Sequence, residues 1–304
     1  MGGCGMTIKL KLLGVRGSRP SDKKSSLGYG GNSTSFEIVI PDEDFYLFID
    51  GGSGISRRGF ELGEDTTINK FHFLITHTHW DHILGLPFFS PLHAAKNHVN
   101  FHASKTRRHS FEEIFNGLQK NGNLPIPATQ LQAQLKFTTI EPQVPFKIED
   151  KILIETFQLN HQGITLGYKI SYKGSSVAII TDNAPIEGNY MGEGMKEKAL
   201  VDKKAFEQSF NEGLVNFLKD VHTVVVDTHF TESTLKVDWG HSTPPRALEL
   251  CKKAGNSRLV LFHHAPEDSD QDVNAKVDSI LNDAKKAHIE VKAAKEGDVW
   301  ELCA

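Results

Sequence analysis

Residues 71–82 read FHFLITHTHWDH, and the rest of the chain takes its meaning from them. Phe71–Thr76 is an apolar, β-branched run of the kind that forms a buried strand, and helical periodicity is expected from His82 to Ala95. Between the two stand His77, His79, Asp81 and His82. Histidines at i and i+2 of an extended or turning backbone reach the same side and can grip one metal ion. The aspartate and histidine that open the next helix point to a slightly different place, so the spacing provides for two ions. A lone histidine is ordinarily a core or surface residue satisfied by the backbone, but three of them with an aspartate in this register are rare by residue frequency alone.

Further donors are expected where other apolar runs end. His161 follows the run Ile152–Asn160, Asp182 closes AIITD and His263 closes LVLFH. Each stands just past a strand, which predicts all of them at one edge of the sheets. His77, His79 and His161 are assigned to one divalent ion and Asp81, His82 and His263 to a second. Asp182 is placed between them, because each carboxylate oxygen has a lone pair to give. Zinc suits this nitrogen-rich set, and manganese or iron stays open for the carboxylate-containing site.

Strands are also predicted at Ile8–Leu13, Ser35–Ile40, Phe45–Asp50, Val99–Ala103, Leu166–Tyr172, Ser176–Thr181, Thr223–Asp227, Arg258–His263 and His288–Ala293. Helices are predicted at Ser110–Lys120, Lys196–Lys219, Pro244–Ala254 and Ala275–Ala287. Ser110 with Glu113 forms a capping-box pair, and Thr243 before Pro244 reads as a helix start. Many strands come first and helices are interspersed later. Two mixed sheets packed together and covered by helices, in one α/β (α+β) domain spanning 1–304, fit that order. Residues 1–6 are read as a flexible leader, and Asn121–Thr139 and Asn183–Gly194 as loops, the first able to overhang a site.

Composition narrows the class. At 304 residues, with net charge −4, 38% hydrophobic and 24% charged residues, the chain is neither disordered nor collagenous nor a disulfide-stapled miniprotein. No apolar run is long enough to span a membrane and no secretory core opens the chain, so a cytoplasmic location and no membrane partner are expected. The three cysteines form no CxxC pair. The 15 histidines are about twice the usual share, and five of them belong to the proposed donor set.

Taken together, GVRGSRP (14–20), YGGNSTS (29–35), DGGSGI (50–55), THTHWDHILGLPFF (76–89), LNHQGITLGY (159–168) and WGHS (239–242) resemble the metallo-β-lactamase fold superfamily. The similarity is to its branch of ribonuclease Z-like and cyclic-nucleotide phosphodiesterase-like hydrolases. The resemblance implies a four-layer αββα sandwich with metals at its open edge, and hydrolysis, commonly of phosphodiesters. It also implies that His241 stabilises or protonates the phosphate with Asp227 as its orienting acid; Asp81 is counted with this catalytic pair as well as among the metal ligands. Two segments depart from the branch, QGITLGY after His161 where PGGALGY is common, and DTHF at 227–230 where DAQY-like text is common.

The remaining aromatic residues receive ordinary expectations. Strand alternation turns His264 away from His263. His229 and His72 are read as structural or solvated, and His93, His98, His102 and His109 as surface residues. Trp80, Phe88 and Phe89 could line a base pocket, with Phe88 and Phe89 expected in the core. The leading functional expectation is a phosphodiesterase for a small diester such as a cyclic nucleotide. Alternatives are a ribonuclease Z-like RNA endonuclease, a carbonyl-ester or lactone hydrolase, and an inactive metal-stabilised binding domain. The acidic balance and the lack of a basic arm argue against a nucleic-acid partner, and a homodimer is left open.

Overall fold

The computed structural model describes residues 8–41, 43–63, 67–118, 131–186, 193–196, 199 and 202–302. The expected leader, most of Asn121–Thr139 and part of Asn183–Gly194 lie outside the described residues, as do Cys4 and Cys303. In chain order the strands are β1 (Ile8–Gly14), β2 (Ser35–Val39), β3 (Phe45–Ile49), β4 (Lys70–Ile75), β5 (His98–Ala103), β6 (Gln134–Thr139), β7 (Phe146–Ile148), β8 (Ile152–Leu159), β9 (Thr165–Tyr172), β10 (Ser175–Ile180), β11 (Thr223–Asp227), β12 (Arg258–Phe262), β13 (Glu290–Ala293) and β14 (Val299–Leu302). The helices are α1 (Gly54–Leu62), α2 (Trp80–Ile83), α3 (Phe111–Leu118), α4 (Glu193–Lys196), α5 (Lys203–Leu218), α6 (Pro244–Ala254) and α7 (Asp270–Lys286).

The strands form two seven-stranded mixed sheets, ordered β14-β1-β2-β3-β4-β5-β6 and β13-β12-β11-β10-β9-β8-β7. Period-two alternation sorts their side chains into three apolar layers. Leu10, Leu12, Phe36, Leu74, Leu166, Tyr168 and Phe262 fill the space between the sheets. Phe71, Phe73 and Phe101 face the other way, against Phe89, Phe111 and Phe115. On the far side, Ile180, Val224, Val226 and Leu259 pack under α5, α6 and α7. The result is the expected four-layer arrangement of helices outside two face-to-face sheets.

Strand direction positions the site. β3, β4, β5 and β6 run parallel to one another, as do β10, β11, β12 and β13. Their carboxyl ends therefore lie along one rim of each sheet. The two rims are tied together where Tyr168 Oη donates to Ile75 O at 2.8 Å and Leu166 N donates to Thr76 O at 3.0 Å. Asp50 and His263, the first residues past β3 and β12, and Asp182, the second past β10, all have positive φ, at 56°, 60° and 35°. Such a conformation costs an L-residue about 1–3 kcal/mol and persists where the surroundings over-determine it, which is common at functional sites.

Several expectations are corrected. The helix expected over His82–Ala95 is broken: α2 stops at Ile83 and two short 3-10 turns follow, Leu86–Phe88 and Ser90–His93. Pro87 and Pro91 remove the backbone donors a continuous helix would need. Phe89 is buried as expected, but Phe88 is 54% exposed because the break turns it out of the core. Gln134–Thr139, read as loop, is edge strand β6; only Leu135 and Phe137 alternate inward, too few to mark a strand in sequence. β7, β14 and α1 were not foreseen, and all are short or rich in small and charged residues. His102 is buried rather than on the surface. No helix among the described residues is long and apolar enough to cross a membrane.

Candidate metal centre

Past the end of β4 the chain turns through His77, His79, Asp81 and His82 and meets His161 after β8, Asp182 after β10 and His263 after β12. Their donor atoms fall into two groups, His77, His79, His161 and Asp182 in one, Asp81, His82, Asp182 and His263 in the other, and within each group the atoms lie within 4.8 Å of one another. Asp182 belongs to both and divides its oxygens between them. Oδ2 lies 3.6 Å from His77 Nε2 and 3.5 Å from His161 Nε2, while Oδ1 lies 3.3 Å from His82 Nε2 and 3.2 Å from His263 Nε2. Asp81 Oδ2 completes the second group at 3.2 Å from His263 Nε2 and 3.3 Å from His82 Nε2.

The outer nitrogens are already engaged, which fixes what the inner ones present. His161 Nδ1 donates to Gly240 O at 3.0 Å and His82 Nδ1 donates to Asp50 Oδ2 at 2.7 Å. Asp50 is itself held by Thr76 N and Thr76 Oγ1, both at 2.8 Å. A histidine that gives one N–H to a fixed oxygen turns a bare lone pair inward from the other nitrogen, the arrangement that metal-holding histidines use. His161 Nε2, left as the acceptor, lies 3.1 Å from His79 Nδ1.

Electrostatics divides the rings. Burial holds His77 well below the ordinary histidine range, lowers His79 and brings His161 down to about 4. Burial also works against charge on His82, but the carboxylates of Asp81, Asp182 and Asp50 outweigh it and hold that ring well above its usual value. Asp182 is held well below the usual carboxylate range: its burial is outweighed by His263, His82 and His77. His77 Nε2, His82 Nε2 and Asp182 Oδ1 are buried without a hydrogen-bond partner. Orphaned buried polar atoms are costly, and divalent cations at the two groups would satisfy these three together.

The flanking loops are built to bring this about. Arg16, fully buried, donates from its guanidinium to Gly30 O, Ala265 O, Asp268 O and Ser26 O, and so clamps the GVRGSRP loop. The clamped loop presents Ser18 N–H to Asp81 Oδ2 at 2.7 Å. Gly17 passes so close to His263 that a Cβ there would collide with the imidazole.

Beside the donor groups, His241 Nδ1 donates to Asp227 Oδ2 at 2.8 Å, both residues buried. Burial opposes charge on His241, but Asp227, by charge and hydrogen bond, raises it to about 9, so the ring is an imidazolium at neutral pH. Asp227 Oδ1 accepts from His229 N at 2.9 Å. His229 was not singled out in sequence, yet it stacks on His241 with ring centroids 4.7 Å apart and forms a third donor group with His241 and His263. It is buried, and burial together with His241 and His263 brings it down to about 3. Its segment is pinned by Lys276, whose buried Nζ donates to Thr228 O, His229 O and Asp268 Oδ2 at 2.9, 2.6 and 2.6 Å. The only sequence signal for His229 was the DTHF departure itself. His264, as expected, faces away, with Nε2 donating to Ala294 O at 2.9 Å.

Residues 71–264 match the family model described as the Beta-lactamase superfamily domain. A ribonuclease Z of Sulfurisphaera tokodaii is 25% identical over 276 residues, covering 80% of this chain and 88% of that one. Among solved structures, the metallo-β-lactamase fold protein YhfI from Bacillus subtilis superposes with TM-score 0.68 at 16% identity, over 97% of this chain and 98% of that one. Unliganded yeast PDE1 gives TM-score 0.64 at 12% identity, over 98% and 99%.

Proposed function

Because the chain belongs to the beta-lactamase superfamily and is a metal-dependent hydrolase, we propose that the bond it cuts is a phosphodiester. A small diester such as a cyclic nucleotide is the first substrate class. The observation that supports this best is the His241–Asp227 pair beside the two donor groups. An imidazolium held at neutral pH meets the anionic oxygens of a phosphodiester already in the ground state and can give its proton to the departing alkoxide. A carbonyl ester offers no such anion. In this reading His77, His79 and His161 hold one ion and Asp81, His82 and His263 the other, with Asp182 between them; zinc is the ion the nitrogen-rich set suits. Bound divalent ions supply Lewis acidity toward water and neutralise charge on the phosphate.

The residues then have distinct tasks. Asp50, Gly240 and Thr76 orient the imidazoles. Asp227 fixes the His241 ring so that Nε2 carries its proton outward, and Lys276 holds the backbone from which that pair is hung. The cavity over the site is about 510 Å³, a size suited to one nucleotide. Protein loaded with zinc should hydrolyse bis(4-nitrophenyl) phosphate or a cyclic mononucleotide. Protein that retains two equivalents of metal and cleaves neither, while opening a lactone or an aryl ester, overturns the reading.

A second substrate class has support of its own. The expectation against nucleic acid rested on net charge and the lack of a basic arm, but the S. tokodaii relative is a ribonuclease and the charge is not evenly spread. Lys105, Arg107, Arg108 and His109 are exposed on the loop after β5. Ala103 is the register partner of Ile75, so this loop leaves the sheet beside the strand end that leads into His77. Thr106 closes the loop, with His109 N donating to its Oγ1 at 2.9 Å. Lys105, Arg107 and Arg108 thus put positive charge on the side of the sheet from which the chain enters the site, a charge an RNA strand can use. Cleavage of a precursor RNA whose affinity falls steeply with salt, with a shallower slope in a K105Q/R107Q/R108Q variant, would move RNA ahead of the small diester.

A further inference from the structure

Of the chain's three tryptophans, Trp300 packs against the apolar layer between the sheets, whereas Trp80 is 68% and Trp239 49% exposed. Both exposed indoles line the cavity that holds Asp81, His161, Asp182 and His241. Each is anchored by the site itself. Trp80 is the first residue of α2, between His79 and Asp81, with its carbonyl accepting from Leu84 N at 2.8 Å. Trp239 ends a short 3-10 turn, directly before the Gly240 carbonyl that orients His161 and two residues before His241. Lys236 Nζ lies 4.2 Å from the Trp239 ring centroid, and Phe230 meets that ring edge-on at 6.1 Å. The backbone of each tryptophan is therefore fixed while much of its indole surface stays in solvent.

Single exposed apolar residues are common on protein surfaces, and larger apolar patches mark protein or lipid contacts. These two fit neither case, because the rest of the cavity wall is polar, including Ser18, Gln162 and Asp238. What suits two exposed indoles beside a phosphate-handling site is a flat π system covalently attached to that phosphate. We propose that Trp80 and Trp239 form an aromatic subsite that stacks a nucleobase next to the scissile phosphodiester. The subsite rests on the phosphodiester reading above, and a nucleobase is the planar ring that a cyclic nucleotide and an RNA strand share.

The test uses full-length, metal-loaded protein and two kinds of measurement. In the first, kcat/KM is compared for a dinucleotide and for the same diester with tetrahydrofuran abasic residues, in wild type and in the W80A, W239A, W80F and W239F variants, with metal content measured in each. The preference for the base-bearing substrate is expected to fall about tenfold in each alanine variant, mainly through KM, since one base stacked on one aromatic ring is worth roughly that factor. It is expected to be largely kept in the phenylalanine variants. A preference that does not change in any variant overturns the subsite. In the second, tryptophan fluorescence is titrated with adenosine monophosphate and with ribose 5-phosphate. Tighter binding of the nucleotide that is lost in both alanine variants supports the subsite even if no phosphodiester is cleaved, which would count against the reaction alone; equal binding of the two ligands overturns it. Repeating the kinetics with 3′,5′-cyclic AMP and with an oligoribonucleotide shows which source supplies the base.

Discussion

Two groups of histidines, one inside the first sheet and one past the strand ends, dispose of their ring nitrogens in opposite ways. Inside the sheet, His72 on β4 and His102 on β5 turn to each other, His72 Nδ1 meeting His102 Nε2 at 3.2 Å with the rings stacked at 5.5 Å. Among the described residues their surroundings are the rings of Phe45 and Phe146 and one carboxylate, Glu149, 3.3 Å from His72 Nε2. Past the strand ends, His77, His79, His82, His161 and His263 surround Asp182, while Asp50 and the Gly240 carbonyl hold outer nitrogens. Burial lowers His72 and His102 in the sheet and His77, His79 and His161 at the rim, while carboxylates hold His82 above its usual value. What separates them is where the carboxylates come from: a strand interior offers only its two neighbours, whereas the rim collects Asp50, Asp182 and Asp227 from the ends of β3, β10 and β11, strands of both sheets.

Exchanging the carboxylate at the rim should break the contrast most severely. Asp182→Asn leaves each donor group without the charge they share, so bound metal measured by elemental analysis should drop and phosphodiester hydrolysis should fall by more than the roughly 10–100-fold that changes around a metal's ligands usually cost. His102→Phe in the sheet interior should leave both quantities as they are. Equal metal retention in D182N would remove the basis for placing Asp182 between two ions.

Next in size is His241. Its replacement by Gln should lower kcat by about 10²- to 10⁴-fold, the usual contribution of a positioned proton donor, with metal content unchanged. Asp227→Asn should follow it, because the amide no longer favours the charged ring. A loss of metal in either variant would mean that His241, with His229 and His263, serves as a donor instead. Asp50 comes third. Asp50→Asn keeps a group near His82 Nδ1 but weakens its hold, and metal affinity or activity should fall about 10- to 100-fold.

The rim was more legible in sequence than the interior, for a physical reason. A donor that follows an apolar run is marked by the run itself, so Asp182 and His263 could be placed without any tertiary information, and β8 and β11 are found at the expected bounds. Asp50 stood at the end of a predicted strand too, but an aspartate before two glycines reads equally as a turn. His102 is buried against the surface expectation, and His229 carried no site assignment, because their surroundings are tertiary: His229 is covered by the Lys276 anchor of a helix far along the chain, His102 by its neighbour two strand positions away. The break after α2 was overlooked because apolar spacing imitates a helix even where Pro87 and Pro91 forbid one.

The smallest expected effect sharpens the comparison from the interior side. Burial, followed by the charges of His72 and Lys136, lowers His102 to about 3 from an ordinary 6.5, and burial lowers His72 as well. Between these values the unfolded chain takes up a proton that the folded chain refuses. The stability His102 allows is therefore complete above pH 6.5 and is lost as the pH falls toward 3, by up to about 1.4 kcal/mol per unit. Phenylalanine at 102 removes that slope. It forfeits the bond to His72, but it also removes a buried Nδ1 that has no hydrogen-bond partner, so stability at neutral pH should change by only about 1 kcal/mol. Urea unfolding of both proteins at pH 7.5 and 4.5 should show wild type losing about 3 kcal/mol more than His102→Phe over that interval. The rim is the same in both proteins, so its contribution cancels in the difference. Parallel losses would mean that the interior pair is protonated in the folded state, and that burial without carboxylates does not suffice to keep a histidine neutral in this sheet.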